Sequence, residues 1–510
     1  MMMIGTQKMG GRNRTGQKRR DVLTMAAVGT NSRIAMDPST RASTRGCPYY
    51  RRLRYSSVLV LVGITGAFLL GGLLSVLGTS VCLMIVGGFV LTIIVLMRQD
   101  ELALTILLLA HLYVDWYLAM DILSIVLVIV LLGVFYLARS AARPWVEPRL
   151  LVLWALFLGL ALFPAIRGAL TQRDMLIYYP NVVLGAFLWF WMGAFIARNM
   201  FALRQLFNML ALFATCIALH TIIQSRFGIT LFGLARVDAY IATMGNYQLS
   251  GSSEVYRVGS FFIDPNWDGA FLAMMLFPPL GLFLKSRLFL EKILYLVEIL
   301  LIAIGLLFTY SAGAWLAALV GCAVFFLFVG STRYRVQLLA FFLVVAVVMF
   351  IGFPGQMNLL LQHGSDPTEL MLRNGVWQTG LRVMLKYPWT GVGLGHTAYL
   401  QYAEPLRVPA QFLPLDHPHN SYLEWGAMAG IPVLVVFVAL LALALGYAVQ
   451  NWRHVDGQTR LLIGAGIAAA VVLSFNSWSI NGWTLLPLAA VGWTILGAIS
   501  SPLLRKKLDS

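Results

Sequence analysis

The chain has 510 residues, of which 59% are hydrophobic and only 11% are charged, and its formal net charge is +16. A soluble domain averages about 25% charged residues, so this composition excludes an ordinary soluble enzyme and indicates a polytopic membrane protein. Residues 1–54 contain twelve Lys or Arg and two Asp, so most of the positive charge lies in one segment and does not indicate nucleic-acid binding.

Residues 1–54 have almost no apolar periodicity and are predicted to form a disordered, cytoplasmic tail. One interpretation is that the basic side chains contact anionic lipid, and the other is that they act as a topology signal. The topology signal is favoured, because Arg51, Arg52 and Arg54 directly flank the first apolar segment. Residues 55–510 are predicted to form one transmembrane domain.

About fourteen apolar segments follow the tail, each able to supply the roughly 20 residues that a transmembrane helix needs. None shows the alternation of an outer-membrane β-barrel, so the predicted fold class is an all-α polytopic membrane protein. The segments are centred near Val62, Val86, Leu108, Val128, Leu156, Leu188, Phe213, Met274, Leu301, Val320, Val345, Val436, Ala468 and Val491.

Basic residues are concentrated in alternate connections between these segments. If the N-terminus is cytoplasmic, the even-numbered connections are basic, and the short odd-numbered ones lack Lys and Arg except for Arg167 and Arg173. Basic connections stay on the cytoplasmic side, so both termini are predicted to be cytoplasmic. Two long connections then face outside, at about residues 226–260 and 355–420, and the second lies between the eleventh and twelfth spans.

The second of these outer connections holds four of the seven histidines, namely His363, His396, His417 and His419. A membrane protein that collects its titratable groups in one connection is predicted to do its chemistry there, at the membrane surface. The inner connections contain no paired-carboxylate motif for a metal and no phosphate loop, so neither a cofactor nor a metal is predicted.

Four motifs follow one another on the predicted outer face. They are Arg257-Val258-Gly259-Ser260-Phe261, then Arg373-Asn374, then the glycine run between Lys386 and Gly395, and finally His417-Pro418-His419-Asn420-Ser421-Tyr422-Leu423-Glu424. Over roughly residues 255–435 this order resembles the O-antigen ligase and O-antigen polymerase superfamily. The resemblance implies a GT-C-like, metal-independent, inverting glycosyltransferase of the bacterial inner membrane. Its implied partners are membrane lipids, an undecaprenyl-diphosphate-linked glycan as donor, and an acceptor hydroxyl on lipid A core in the ligases or on another lipid-linked glycan in the polymerases.

His419 is the predicted catalytic base. Asn420 is a good N-cap, so His419 lies at the start of the following helix, whose positive end keeps an imidazole neutral and able to accept a proton. The family pattern also has its histidine at this position. The alternative is a histidine that only hydrogen-bonds its own loop. His417 is predicted to support His419. A metal site formed by His417 and His419, with Asp416 alongside, is less favoured because no further ligands cluster there.

The predicted donor-binding residues are arginines, since guanidinium binds phosphate oxygens through two parallel hydrogen bonds. Arg257 and Arg373 match the two arginine positions of the family, and Arg382 on the same predicted helix as Arg373 is a secondary candidate. Ordinary ion pairing within the loops is the alternative for each. Glu424 lies one turn after Asn420 at the membrane edge, and it either orients His419 or pairs with a basic neighbour.

One position departs from the family pattern, because many relatives carry Ser-Arg-Gly where this chain has Ser311-Ala312-Gly313.

The alternative class is a flippase for lipid-linked oligosaccharides or another fourteen-span transporter. Transporters place charges at the bilayer midplane and often contain internal repeats. Here the midspan candidates are few (His111, His220 and Glu298) and no repeat relates the two halves, so a glycosyltransferase is the favoured function.

Overall fold

The computed structural model describes residue 106 and residues 145–171, 178–227, 257–262, 264–455 and 457–505. Every regular element in these ranges is helical. The α-helices are α1 (Pro148–Thr171), α2 (Gly185–Ile196), α3 (Met200–Phe227), α4 (Pro265–Met275), α5 (Phe277–Lys285), α6 (Phe289–Phe308), α7 (Ala312–Phe328), α8 (Thr332–Gly352), α9 (Pro354–Gly364), α10 (Pro367–Lys386), α11 (His396–Ala403), α12 (Ser421–Glu424), α13 (Ile431–His454), α14 (Arg460–Asn476) and α15 (Leu486–Ser500).

Seven helical stretches in the described part are long and apolar enough to cross a membrane: Pro148–Leu170, Tyr179–Ile196, Met200–Phe227, Pro265–Lys285, Thr332–Gly352, Ile431–His454 and Leu486–Arg505. Each contains one of the predicted span centres. The centres near Val320 and Ala468 fall in shorter apolar helices, Ala312–Phe328 and Arg460–Asn476. These helices confirm a polytopic membrane protein, whereas the full count of about fourteen spans stays a prediction.

The remaining predicted spans are missing from these helices for one of two reasons. Helix α6 holds the predicted centre near Leu301 and contains Glu291, Lys292 and Glu298. Because of these three charges it is not among the helices that are apolar enough to cross a membrane. The centres near Val62, Val86, Leu108 and Val128 and the tail of residues 1–54 lie outside the described residues. Most of the connection predicted at about residues 226–260 also lies outside the described residues.

One predicted span consists of two consecutive helices. Asp264 caps the start of α4 by accepting a hydrogen bond from the backbone N–H of Asn266 at 2.6 Å, and Pro265 occupies the first helical position. The helix then passes through Leu276 into α5, whose first turn contains Pro278 and Pro279. Proline lacks the N–H that an uninterrupted helix needs, so a division of the span at this point follows from the sequence.

The predicted outer connection of about residues 355–420 is built mainly of helices. Helices α9, α10 and α11 fill most of it, and an irregular segment then leads from Arg407 to Asn420. Asp366 caps the start of helix α10, and its carboxylate accepts a hydrogen bond from the backbone N–H of Thr368 at 2.8 Å. The helix ends at Lys386, before the glycine run. The connection therefore has a regular framework that can hold side chains in fixed positions.

Helices α2 and α15 pack closely because each presents a glycine to the other. A Cβ atom added at Gly193 would meet the carbonyl of Thr494, and one added at Gly497 would meet the carbonyl of Phe190. Both obstacles are backbone atoms, which cannot rotate away. Small residues of this kind let apolar helices approach within van der Waals contact in a membrane, where no water is released to drive their association.

We expect Gly497→Ala to destabilise the protein by about 1–3 kcal/mol, because the added methyl group must push two packed helices apart. The measurement is the thermal melting temperature of the purified protein in detergent. Gly446→Ala on α13 is the matched control, since a Cβ atom there meets nothing within 4 Å. Equal melting temperatures for the two variants would contradict the proposed close approach of α2 and α15.

Candidate active site

The turn before helix α12 presents His419. The side-chain oxygen of Asn420 accepts hydrogen bonds from the backbone N–H groups of Tyr422 at 2.9 Å and Leu423 at 3.1 Å, so Asn420 caps the helix. His419 is the residue immediately before this cap and has a φ of 46°. His419 therefore lies immediately before the first turn of α12, whose N–H groups are already paired with Asn420, Ser477 and Ile480.

Three residues other than glycine have positive φ in the described ranges, and all three lie beside predicted site residues. They are Ser260 (49°), Tyr310 (50°) and His419 (46°). Such a conformation costs on the order of 1–3 kcal/mol for a residue with a Cβ atom and persists only where the surrounding contacts impose it. The backbone near Arg257 and the backbone at His419 are thus both held in defined, unfavourable shapes.

The connection between α14 and α15, residues 477–485, joins the parts of the site. Its backbone carbonyls at Ser477 and Ile480 accept from the N–H of Ser421, at 2.9 and 3.2 Å. The carbonyl of Ser479 accepts from the Arg373 guanidinium at 3.1 Å. The Asn481 side chain accepts from the indole of Trp267 on α4 at 2.9 Å. One short connection therefore links the start of α12, helix α10 and helix α4.

Glu424 is buried, with only 1% of its side chain exposed. One carboxylate oxygen accepts from the Tyr178 hydroxyl at 3.0 Å, and the other accepts from the Thr484 hydroxyl at 2.5 Å. The Nε2 atom of His396 lies 3.4 Å from the first oxygen. A buried carboxylate requires such partners, because its desolvation is otherwise very unfavourable.

His396 reaches this position by way of the glycine run. The N–H groups of Val392 and Gly393 donate to the carbonyls of Ala427 and Met428 at 2.9 and 3.0 Å. A Cβ atom at Gly391, where φ is +60°, would collide with the backbone of Met428. The run therefore lies flat against the chain that follows α12, as only glycine permits. It ends at Gly395, directly before His396 begins α11.

His396, Asp416, His417 and His419 form a contiguous row. The Nδ1 atom of His396 lies 3.5 Å from Asp416, and the Nδ1 atom of His417 donates to the same carboxylate at 2.6 Å. The rings of His396 and His417 stack with centroids 5.0 Å apart, and those of His417 and His419 are 4.1 Å apart. Three histidines and one carboxylate thus share a single small volume.

The pKa values of the groups in this row are shifted in different directions. Burial opposes the charge of His396, but the hydrogen bonds to Asp416 and Glu424 outweigh it and raise the pKa of His396 to about 10. Burial alone would raise the pKa of Asp416, yet its bonds to His396 and His417 hold that pKa well below its usual range. Burial, together with the nearby His417 and Arg373, lowers the pKa of His419 well below its ordinary value. At neutral pH His396 is therefore an imidazolium, Asp416 a carboxylate and His419 a neutral base.

Arg257 is buried beside the start of α4. Its Nε atom donates to the carbonyl of Thr309 at 3.1 Å, and one terminal nitrogen donates to the side chain of Asn266 at 2.7 Å. Ser311 donates to the same Asn266 oxygen at 3.2 Å. Arg257 is therefore fixed against the Thr309–Ser311 turn, immediately before Ala312.

Arg373 lies on α10 between two features of the site. It pairs with Glu369 one turn earlier at 2.9 Å and donates to the Ser479 carbonyl. Burial and the charges of Arg257 and Arg373 lower the pKa of His363 to about 4, so both arginines lie near His363. The Nδ1 atom of His363 is buried and accepts or donates no hydrogen bond within the described residues. Arg257, Arg373 and His363 therefore lie near one another, together with the carboxylates Asp366 and Glu369, whose charges act on His363 in the opposite direction.

Arg382 is not brought to this region. Nine residues separate it from Arg373 on α10, which rotates it by about 180° to the opposite side of the helix. Its guanidinium is exposed and lies 3.5 Å from the carbonyl of Leu406. Among the predicted site residues, His417, His419, Asn420 and Glu424 cluster around α12 and Arg373 joins them through Ser479, whereas Arg382 faces elsewhere.

Sequence reasoning missed three contributors: His396, Tyr178 and the connection of residues 477–485. His396 had a signal, since it belongs to the histidine-rich segment and directly follows the glycine run. Tyr178 offered none, because an interfacial tyrosine is common at the end of a span. Within the described residues His396, Asp416 and His417 also form a group whose ligand atoms lie within 4.8 Å of one another, a spacing that a metal ion could use.

The described helices and the site define a multi-pass α-helical membrane protein with a buried polar centre at the ends of its helices. Comparison with known proteins then shows which family part of this chain is similar to. Residues 298–438 match the family model described as O-antigen ligase. An O-antigen ligase of Pseudomonas aeruginosa is 26% identical over 246 residues, which is 47% of this chain and 55% of that relative. The match thus spans about half the length of the relative, and both comparisons confirm the resemblance to the O-antigen ligase and polymerase superfamily.

We expect the charge on His396 to contribute stability at neutral pH that disappears in alkali. Its pKa is raised to about 10, above the value of about 6.5 for an unfolded histidine. Its contribution is therefore complete below about pH 6.5 and is lost as the pH rises through about 10. The measurement is the melting temperature in detergent at pH 6.5, 8 and 10 for the wild type and for His396→Asn. The difference between the two proteins should shrink with rising pH, and a constant difference would contradict the charged state of His396.

Proposed function

We propose that this protein is an O-antigen ligase-type or polymerase-type glycosyltransferase. It transfers a glycan from an undecaprenyl-diphosphate carrier to an acceptor hydroxyl, on the outer face of the bacterial inner membrane. The observation that carries the proposal is the placement of His419, a neutral imidazole beside Arg373 and the row of His417, Asp416 and His396. The matches to O-antigen ligases support the same reaction class.

The reaction needs a base and a site for a departing anion. His419 accepts the proton of the acceptor hydroxyl as the hydroxyl oxygen forms its bond to the anomeric carbon. The bond from that carbon to the phosphate oxygen breaks, and the carrier diphosphate departs with the electron pair. A single displacement at the anomeric carbon inverts its configuration. Fixed guanidinium groups supply the positive charge that stabilises the leaving group, so the proposed mechanism requires no metal.

Arg257 and Arg373 are the proposed diphosphate ligands. Both are anchored by protein partners while remaining close to His363, so they can present their remaining N–H groups without reorganising. His363 is the proposed third donor. It lies on α9 next to Gly364, where an added Cβ atom would meet the side chain of Ala312. This placement supports His363 as the substitute for the arginine that relatives carry at the Ala312 position.

The orientation of the chain rests on its charge distribution. The basic connections of the sequence favour cytoplasmic termini and an outer face for the site. Undecaprenyl-linked glycan and acceptor would then meet on the side opposite to nucleotide sugars. Both lipid A core and a second lipid-linked glycan are acceptors with free sugar hydroxyls, and the site chemistry is the same for each.

We expect His419→Ala to lower glycan transfer by about 10²–10⁴-fold, the usual contribution of a general base. The assay uses purified protein in lipid nanodiscs with an undecaprenyl-diphosphate-linked glycan, and with lipopolysaccharide core or excess donor as acceptor. His454→Ala is the control, because this exposed histidine bonds only to its own helix at the Gln450 carbonyl within the described residues. Full activity of His419→Ala would contradict the mechanism. Glycan translocation in proteoliposomes without any new glycosidic bond would instead support a flippase.

We expect Arg373→Lys to lower kcat/KM for the donor by about 10–100-fold, since lysine keeps the charge but loses charge-assisted hydrogen bonds worth about 1.5–3 kcal/mol. Arg382→Lys is the matched control on the opposite side of the same helix, and it should change the same constant less than about twofold. The measurement is initial rate against donor concentration at saturating acceptor. Equal losses in both variants would contradict a donor site confined to the Arg373 side of α10.

A further inference from the structure

His417 lies directly behind the proposed base and is more buried than it. Its ring centroid is 4.1 Å from that of His419, and only 8% of the residue is exposed. Its Nδ1 atom bonds to Asp416 at 2.6 Å. A carboxylate can only accept, so Nδ1 carries a proton, and in the form of the ring that is protonated there alone the Nε2 atom is an acceptor. That Nε2 atom is buried and has no hydrogen-bond partner in the described part of the chain.

An unsatisfied buried acceptor beside a base calls for an explanation, because such atoms are rare and each lost hydrogen bond costs about 1–3 kcal/mol. The proposed reaction supplies one. Each turnover leaves a proton on His419, which the bound donor and acceptor cover. His419 must lose that proton before it can act again, and its positively charged surroundings favour a rapid loss.

We propose that His417 and Asp416 form a proton relay that carries the acceptor proton from His419 to the outer surface. This inference rests on the proposed function of His419. In the first step the two rings close to hydrogen-bonding distance and the proton on His419 moves to Nε2 of His417, giving an imidazolium whose Nδ1–H already faces Asp416. In the second step the Nδ1 proton passes to the Asp416 carboxylate and from there to water. His419 is then neutral and Asp416 is again a carboxylate, while His417 is left with its proton on Nε2. Exchange of one proton with water, onto Nδ1 and off Nε2, restores the starting form of His417.

The groups around the relay favour this direction. Asp416 is the exposed end of the row, with half of its side chain accessible, whereas His417 is only 10% accessible. His396 faces Asp416 at 3.5 Å and Glu424 at 3.4 Å, and its positive charge keeps the Asp416 carboxylate ionised between turnovers. Arg373 acts on His419 with the opposite sign to Asp416. A proton that leaves His419 through His417 therefore moves toward a carboxylate at the surface.

The test compares the first turnover with later ones. In His417→Ala, rapid-quench measurement should show a first turnover at the wild-type rate, because His419 begins in its neutral form. Steady-state transfer should then fall by about 100-fold, with KM values for donor and acceptor unchanged. Added imidazole should restore part of the steady-state rate in proportion to its concentration. Asp416→Asn should give the same separation between first and later turnovers, and His454→Ala should behave as the wild type.

Other results overturn the relay. A first turnover that slows as much as the steady state means that His417 only shapes the site, and an unchanged steady state means that the proton leaves by another route. Loss of activity in EDTA that zinc restores would replace the relay by a metal site at His396, Asp416 and His417. If His417→Ala has a much lower melting temperature than the wild type, the first and later turnover rates of Asp416→Asn decide between the relay and a structural role. A normal first turnover in His419→Ala would instead refute the proposed function itself.

Discussion

The buried carboxylate of Glu424 is the constraint on which the rest of the site depends. A charge enclosed at the edge of a membrane is stable only if donors surround it, and here they come from three distant parts of the chain. Tyr178 precedes the second described span, Thr484 lies between the last two helices, and His396 follows the glycine run. Removing Thr484 leaves one carboxylate oxygen without a partner among the described residues, and removing Tyr178 or His396 leaves the other oxygen with a single one, so the three segments are held in register with α12.

That register determines where the reactive side chains lie. His396 can face Glu424 only because Gly391, Gly393 and Gly395 let the preceding backbone lie flat against the residues after α12. The same imidazolium then meets Asp416, which holds His417 behind His419. On the other side the connection of residues 477–485 fixes Arg373 through a backbone carbonyl. The candidate site residues His396 and His419 thus lie at helix starts, and their positions follow from how those starts are held against neighbouring segments.

The sequence indicated the parts of this site that depend on side-chain type and missed those that depend on backbone geometry. The Asn420 cap, the histidine before it and the arginines Arg257 and Arg373 are recognisable because few other residues perform these roles. The carbonyls of Ser477, Ser479 and Ile480 could not be recognised, since every residue has one. The grouping of Arg382 with Arg373 ignored the helical period, which separates positions nine apart by about 180°. The same limit applies to the spans, because a helix with three charges such as α6 has no clear apolar signature.

His419 lies among charges of both signs, and in the proposed mechanism their difference gives the reaction a direction. Arg257 and Arg373 are the proposed ligands of the diphosphate. Asp416 bonds to His417, whose ring is next to His419, and is the proposed route by which the proton leaves. Arg373 lowers and Asp416 raises the proton affinity of His419, so the imidazole lies within reach of both fields. A donor that binds with its diphosphate near the arginines would add negative charge beside His419 and increase its basicity. In the proposed mechanism the base is therefore strongest when the donor is in place, and it weakens again when the diphosphate leaves, which is when the proton must be released.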